Sequence, residues 1–291
     1  MMSGSSYALV TAAHNEEGYL EQTIASVLTQ SQPPVKWVIV NDGSTDKTAQ
    51  IIDSFAREAV FIEKLDKAEA HAHSFGAQAR AQMTGYAALK DVPFDFIGML
   101  DADIVLPPDY YCRVLDLFLK DPALGMAGGF VYEKQDGGYK SRKYNRQSSV
   151  AGAIQMFRRE AFERIGGIAQ LRYGGHDWLA EIQVRMYGWE SIAVPELEVH
   201  HLRQTGSSAH PLRDSYRQGK MDYSVGSHPL FELLKCALRI QAKPFGVGAC
   251  TRFAGYMSSL LNADPPAVSK EVQDYLRNSQ LTRIKSRLAR K

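Results

Sequence analysis

Cysteine is scarce in this chain: Cys112, Cys236 and Cys250 are the only three in 291 residues. An odd count without CxxC spacing argues against a disulfide framework or a zinc ribbon and fits a reducing compartment. Long apolar runs are missing as well. No stretch of about 18 uncharged apolar residues occurs, so no membrane-spanning helix is expected. The opening Met1-Met2-Ser3-Gly4-Ser5-Ser6 has neither a basic flank nor an apolar core, and we expect a cytoplasmic chain without a signal peptide. No GxGxxG follows the first apolar run, which removes the fingerprint of a dinucleotide oxidoreductase. With 23 Gly and 12 Pro the chain is not low-complexity, and no short period repeats along it.

Net charge is nearly absent too, at +2, but that total hides an imbalance. Residues 1–200 hold 19 Lys and Arg against 26 Asp and Glu, whereas residues 201–291 hold 15 against 6. An acidic body with a basic tail points to an anionic partner for the tail, membrane or polyphosphate. The alternative is an ordinary solvated surface.

What is present is an alternation. Residues 7–11, 36–40, 61–62 and 94–100 are apolar, strand-like runs. Between them apolar residues recur at helical spacing: Leu20, Ile24, Val27 and Leu28, then Ala49, Ile52, Phe55 and Ala56, then a helix over 77–89. This grammar predicts an α/β fold with a mostly parallel central sheet flanked by helices. After residue 110 we expect a helix over 110–119, a strand over 125–132 and a polar loop over 133–146. A short helix over 158–165 stopped by Gly166-Gly167, a longer one over 176–187 and a last strand at 192–194 follow. Beyond about residue 205 the pattern turns helical. Leu230, Phe231, Leu234 and Leu238 form one apolar stripe, and Val247, Cys250, Ala254, Met257 and Leu261 form another. We therefore place one domain over 5–205 and a helical, basic C-terminal extension over 206–291. The stripes either lie in a membrane interface or pack on the protein's own core.

Polar groups gather at strand ends, where open α/β sheets bind ligands. Asp101-Ala102-Asp103 closes the most strand-like run, and two acids at i, i+2 can approach one hard cation such as Mg²⁺ or Mn²⁺; a turn or a cap is the alternative. Asn41-Asp42-Gly43-Ser44-Thr45-Asp46 ends the second strand. Asp42 could accept hydrogen bonds from a ribose or base there, and Ser44 or Asp46 could simply cap the next helix. His14, Asn15 and Glu16 follow the first strand. Asp177 stands where a glycine-rich turn enters a helix, suited to a general base or to a cap. His200 or His201 could add a nitrogen ligand or be polar surface. Trp178 could stack on a ligand's ring or pack its helix.

Together, the segments 11–17, 41–46, 101–103 and 175–178 occur in the order and spacing of glycosyltransferase family 2, which residues 5–205 resemble. The resemblance implies the A-type glycosyltransferase fold, a divalent metal (Mg²⁺ or Mn²⁺) and transfer with inversion. It implies that Ala12, Ala13, His14 and Glu16 lie along the nucleotide's base and ribose, and that Asp42 reads the base. Asp101 would be the first carboxylate of the DxD motif, near the ribose, and Asp103 the metal-holding one. Asp177 would be the catalytic base, His200 or His201 a metal-side histidine, and Arg203 a diphosphate contact. Arg80 would be a further nucleotide contact, on a looser alignment. Two departures stand out. Ala12-Ala13-His14-Asn15-Glu16 replaces the usual Pro-x-Tyr-Asn-Glu, and His176-Asp177 replaces Glu-Asp. Residues 228–235 resemble a bacterial polysaccharide-biosynthesis subgroup.

The expected activity is inverting, metal-dependent transfer of a sugar from a nucleoside-diphosphate-sugar to a hydroxyl of a glycan or lipid-linked saccharide, in cell-surface polysaccharide synthesis. Nucleic acid is not an expected partner. An anionic inner membrane face is one, should the tail dock there. The alternatives are a non-catalytic nucleotide-sugar-binding partner, or a sugar nucleotidyltransferase, whose glycine-rich basic N-terminal loop residues 11–17 do not supply.

Overall fold

The computed structural model describes residues 5–67, 75–135, 137–142, 145–204, 210–241 and 245–289. Two compact units emerge, Met1–Gln170 with His176–Thr205, and Leu171–Gly175 with Gly206–Lys291.

The first unit runs β1 (Tyr7–Ala13), α1 (Leu20–Leu28), β2 (Lys36–Asn41), α2 (Thr48–Glu58), β3 (Ile62–Asp66), α3 (Phe75–Ala88), β4 (Phe96–Leu100), β5 (Ile104–Val105) and α4 (Tyr110–Lys120). It continues with β6 (Leu124–Gln135), β7 (Gly138–Ser141), β8 (Ile154–Arg158), α5 (Arg159–Arg164), α6 (His176–Met186) and β9 (Glu190–His201). These strands form one sheet in the order β3-β2-β1-β4-β8-β6-β9-β5, with β7 beside β6. From β3 to β4 the pairing is parallel, with Leu9 opposite Trp37 on one side and Gly98 on the other. Past β4 the sheet is mixed: β8 runs antiparallel to β4 and β6, while β9 is parallel to β6.

The period of two along β1 explains why its run is apolar throughout. Tyr7 and Leu9 enter a core with Leu20, Ile24, Val27, Ile52 and Phe118. Ala8 and Val10 point to the other face, against Ala79, Ala81, Phe162, Ala180 and Val184. A strand covered by helices on both faces has no polar side to display.

Residues 133–146 depart from the expected loop. β6 runs on to Gln135 and β7 pairs back on it antiparallel, with Tyr132 opposite Ser141 and Gln135 opposite Gly138. Gly137 and Gly138, at φ +88° and +133°, make the reversal. Alternation was hidden there because the residues of β7 are exposed on both faces, so no apolar side was required.

The second unit holds α7 (Pro211–Ser224), α8 (Pro229–Leu238), α9 (Val247–Leu261) and α10 (Lys270–Leu288). α7 and α9 cross so closely that a Cβ at Gly219 or Gly255 would run into the other helix's backbone. Beside that crossing lies a buried ion network. Arg252 of α9 pairs with Asp222 of α7 at 2.5 Å and with Glu232 of α8 at 3.2 Å. Lys235 bridges the same two carboxylates at 2.8 and 2.6 Å. With Arg252, Gly255 and Ser259 facing inward on α9, apolar stripe residues face out: Leu230 is 45%, Leu238 74% and Leu261 79% exposed.

Candidate active site

The site is built at the carboxyl ends of β1, β2 and β4. The loops after β1 and β2 are knitted to each other. Asn15, held at φ +56°, accepts from the Thr45 amide at 2.8 Å and donates its own amide to Ser44 Oγ at 3.1 Å. The Glu16 amide donates to Thr48 Oγ1 at 2.7 Å, and the Lys47 amide to Glu17 at 3.1 Å. Asp46, one residue before the N-cap Lys47, accepts from the Thr48 amide at 2.9 Å and so secures the entry to α2. This rigid pair of loops carries His14 and Asp42. His14 Nδ1 meets the Asp42 carbonyl at 2.6 Å, and Asp42 is buried and paired with Lys67 at 2.8 Å. Ala12 is half-buried. Ala13's methyl is sealed in the core, so only its backbone is on offer, and its carbonyl already accepts from the Asp42 amide at 2.9 Å.

Asp101 and Asp103 follow β4, separated by the buried Ala102, whose carbonyl is held by Thr23 Oγ1 at 2.8 Å. Neither acid caps a helix through a hydrogen bond among the described residues. Gln78 of α3 donates to Asp101 at 3.0 Å. Asp103 is 1% exposed, and its Oδ2 receives His201 Nε2 at 2.8 Å and the Arg203 guanidinium. Arg203 also holds Glu16 at 2.6 Å. One arginine therefore gathers carboxylates from the loops after two different strands.

The electrostatics follow from that crowding. Burial, reinforced by the charge of Asp103, pushes the Asp101 carboxyl up to about 7. Burial also acts on Asp103, but the hydrogen bonds and positive charge of His201 and Arg203 outweigh it and hold that carboxyl below its usual range. Glu16 is raised, because its burial exceeds the help it gets from Arg203. The site is thus short of positive charge at the Asp101–Asp103 pair.

Asp103 Oδ1 and His201 Nδ1 are buried without a protein hydrogen-bond partner among the described residues, as is Glu16 Oε2. An orphaned carboxylate oxygen beside a second acid and an imidazole suits a hard or borderline divalent cation. No three side chains are already arranged around one point among the described residues, so an oxygen-rich ligand has to complete such a shell. The two histidines part company here. β9 alternates, so His201 turns to Asp103, while His200 stacks flat on Tyr139 at 3.9 Å and 7°.

Asp177 sits in the first turn of α6. No hydrogen bond or ion pair engages its carboxylate among the described residues, so it does not act as a cap. Its side chain lies against Gly152, where an added Cβ would come within 2.8 Å of Asp177 Cβ and 3.0 Å of its Oδ2. The neighbouring Ala153 carbonyl accepts from the Asp101 amide at 3.0 Å. Residues 152–153 therefore tie the lone carboxylate to the paired ones. Trp178 is half-buried. Arg80, on α3, has a buried Nε without a hydrogen-bond partner among the described residues.

Lys67 and Gln78 belong to this site although the sequence pattern did not single them out. Lys67 directly follows β3, so the strand-end rule covers it, but the two-residue apolar run at 61–62 did not show where the strand ended. Gln78 lies inside a helix, and no local signal marks it.

The sequence model of glycosyl transferase family 2 matches residues 8–176, more than half of the chain. The chain belongs to that family. Its similarity to a poly-β-1,6-N-acetyl-D-glucosamine synthase of Staphylococcus epidermidis is 28% identity over 157 residues, 53% of this chain and 32% of that protein. To the O-antigen biosynthesis protein RfbC of Myxococcus xanthus it is 28% over 219 residues, 69% of this chain and 16% of the other. The family 2 chain thus spans a third or less of these relatives. Among solved structures, the mannosyltransferase PcManGT of Pyrobaculum calidifontis, in complex with GDP-Man and Mn²⁺, superposes with a TM-score of 0.60 at 17% identity, covering 98% of this chain and 87% of that one. Staphylococcus aureus TarS 1-349 follows at 0.53 and 12%, covering 89% and 72%. Likeness at that identity is one of fold, the A-type glycosyltransferase fold.

Proposed function

We propose that this chain transfers a sugar, with inversion, from a nucleoside-diphosphate-sugar to a hydroxyl of a glycan or lipid-linked saccharide in polysaccharide synthesis. The observation that carries the reading is the pairing of an acid cluster at the end of β4 with a free carboxylate, Asp177, tied to it through residues 152–153. The polysaccharide-synthesis relatives and the GDP-Man and Mn²⁺ in the Pyrobaculum calidifontis mannosyltransferase support the substrate class and the metal.

In this reading His14, Asp42 and Lys67 border the nucleoside, with Ala12 and Ala13 at the end of β1, Glu16 on the loop that follows and Arg80 as a further contact. Mg²⁺ or Mn²⁺ would be held by Asp103, with Asp101 and His201 beside it, and would stabilise negative charge on the departing diphosphate. Arg203 adds a fixed positive charge there, worth more in a buried site than in water. Asp177 accepts the proton of the acceptor hydroxyl as that oxygen attacks the anomeric carbon, an oxocarbenium-like passage shared with glycoside hydrolysis. A single base and displacement from the opposite side invert the centre. Trp178, next in the chain, offers a face for an acceptor ring.

The test is release of nucleoside diphosphate from a panel of nucleotide sugars and acceptors with Mn²⁺. Turnover in the wild type, lost by about 10²-fold or more in Asp177→Asn while nucleotide still binds, supports the reading. Undiminished turnover in that variant contradicts the base assignment.

A second reading concerns location. No described helix is long and apolar enough to cross a membrane. The exposed leucines of α8 and α9, with Phe245 at 67% and Ile240 at 54% exposure, in a segment of net positive charge, fit peripheral docking on an anionic leaflet.

A further inference from the structure

The second unit contains a cavity that the transfer chemistry above does not use. It measures about 370 Å³, within the range of small-ligand pockets, about 300–1,000 Å³. Three pieces of chain wall it: the 171–175 segment, the second half of α7, and the end of α9 with the turn that follows. The 171–175 segment is fastened to α7 by Arg217, which donates to the Tyr173 carbonyl at 2.5 Å.

Its lining has a distinct chemistry. Tyr173 and Tyr223 supply aromatic faces. Tyr223 is braced edge-on by Tyr256 at 5.6 Å and 78°. Lys220 Nζ stands 5.9 Å from the Tyr173 ring centre and 5.5 Å from that of Tyr216, and the Arg172 guanidinium lies 5.5 Å from Tyr173. Neither cation has a carboxylate within ion-pair distance among the described residues. Asp264 brings one acceptor to the wall. Ser259, a residue 1% exposed, is part of the lining, and its buried Oγ has no hydrogen-bond partner among the described residues. A buried hydroxyl left unmatched costs free energy that a hydroxyl-bearing ligand recovers.

We propose that this cavity is a binding site for a saccharide unit carrying a negative charge, a uronate or a sugar phosphate. Tyrosine rings offer flat faces for the C–H side of a pyranose and hydroxyls for its polar edge. Lys220 and Arg172 take the anionic group, and Ser259 and Asp264 take ring hydroxyls. The choice of a sugar rests on the transferase reading; the cations, rings and orphan hydroxyl do not.

The test uses the full chain without nucleotide or metal, titrated by calorimetry with glucuronate, glucose 1-phosphate, methyl glucoside and inorganic phosphate. At least one of the two anionic sugars binds, and methyl glucoside and phosphate are each weaker by about tenfold or more. Which anionic sugar binds distinguishes carboxylate from phosphate. Lys220→Met and Tyr173→Ala each weaken that binding by about tenfold, and Ser259→Ala weakens it by about threefold. No binding by either anionic sugar, phosphate binding as tightly as glucose 1-phosphate, or unchanged binding in Lys220→Met overturns the proposal. Stabilisation by nucleotide and Mn²⁺, read on the same samples, reports separately on the donor site. Its persistence in the variants shows that they fold. Its absence in a wild type that still binds anionic sugar fails the transferase reading and leaves this site standing.

Discussion

Asp101 and Asp103 are two residues apart with opposite electrostatic fates. Asp103 has His201 and Arg203 on one oxygen, whereas Asp101 has, among the described residues, a side-chain hydrogen bond from Gln78 alone. A carboxyl raised to about 7 in the folded state, against an ordinary value near 3.8, disfavours the fold progressively as pH rises from about 4 to 7. Asp101→Asn removes that penalty. In metal-free buffer its melting temperature should gain on the wild type between pH 5 and pH 8, by a margin that grows up to about pH 7. A margin independent of pH contradicts the assignment. Gly152 is the other decisive residue, because a methyl there meets the Asp177 side chain. Gly152→Ala should cut kcat by about tenfold or more, since small misplacements of a catalytic group have such effects, with nucleotide affinity unchanged. Equal losses in a Gly152→Ala, Asp177→Asn double variant and in Asp177→Asn alone would show that the two act through one group.

At the scale of elements, what was legible in the sequence follows from burial. β1, β2 and β4 are covered on both faces and read as continuous apolar runs, and α1 and α4 each lay one apolar face on the core. β8 escaped notice. It is five residues long, the buried Gln155 interrupts its apolar run, and α5 follows it without a turn. Gln155 is there because it donates to the Asp177 carbonyl at 3.1 Å, so the residue that hid the strand helps to hold the site. α7 was illegible for a related reason: its buried positions are Gly219, Asp222 and Ser224, chosen for close approach and ion pairing rather than for apolar area. That leaves α7, α8 and α9 dependent on Arg252. Arg252→Met strands Asp222 and Glu232 with Lys235 as their remaining cation and should lower stability by about 3–5 kcal/mol, as read by urea unfolding. A loss under about 1 kcal/mol would mean that packing alone holds these helices.

For the whole molecule, the strand-end motifs were visible early because each is a short run of polar residues after an apolar one. The partners Lys67 and Gln78 were not, since they come from chain distant in sequence. The distribution of charge and exposed leucine along residues 206–291 belongs to this scale as well. The chain should sediment with vesicles containing anionic lipid at low salt and leave them at high salt, as a basic, partly apolar surface requires. Leu238→Glu with Leu234→Glu should abolish that binding, and sedimentation unaffected by both salt and the double variant contradicts it.

Donor binding at the end of β4 underlies the transfer reaction proposed for the chain. The most direct measurement is thermal stabilisation by UDP, GDP, dTDP and CDP, each with and without Mn²⁺, in wild type and Asp103→Asn. One nucleotide should raise the melting temperature only when Mn²⁺ is present, and the variant should lose that rise. Stabilisation by no nucleotide, or a rise that survives in Asp103→Asn, would contradict the assignment of this strand end as the donor site.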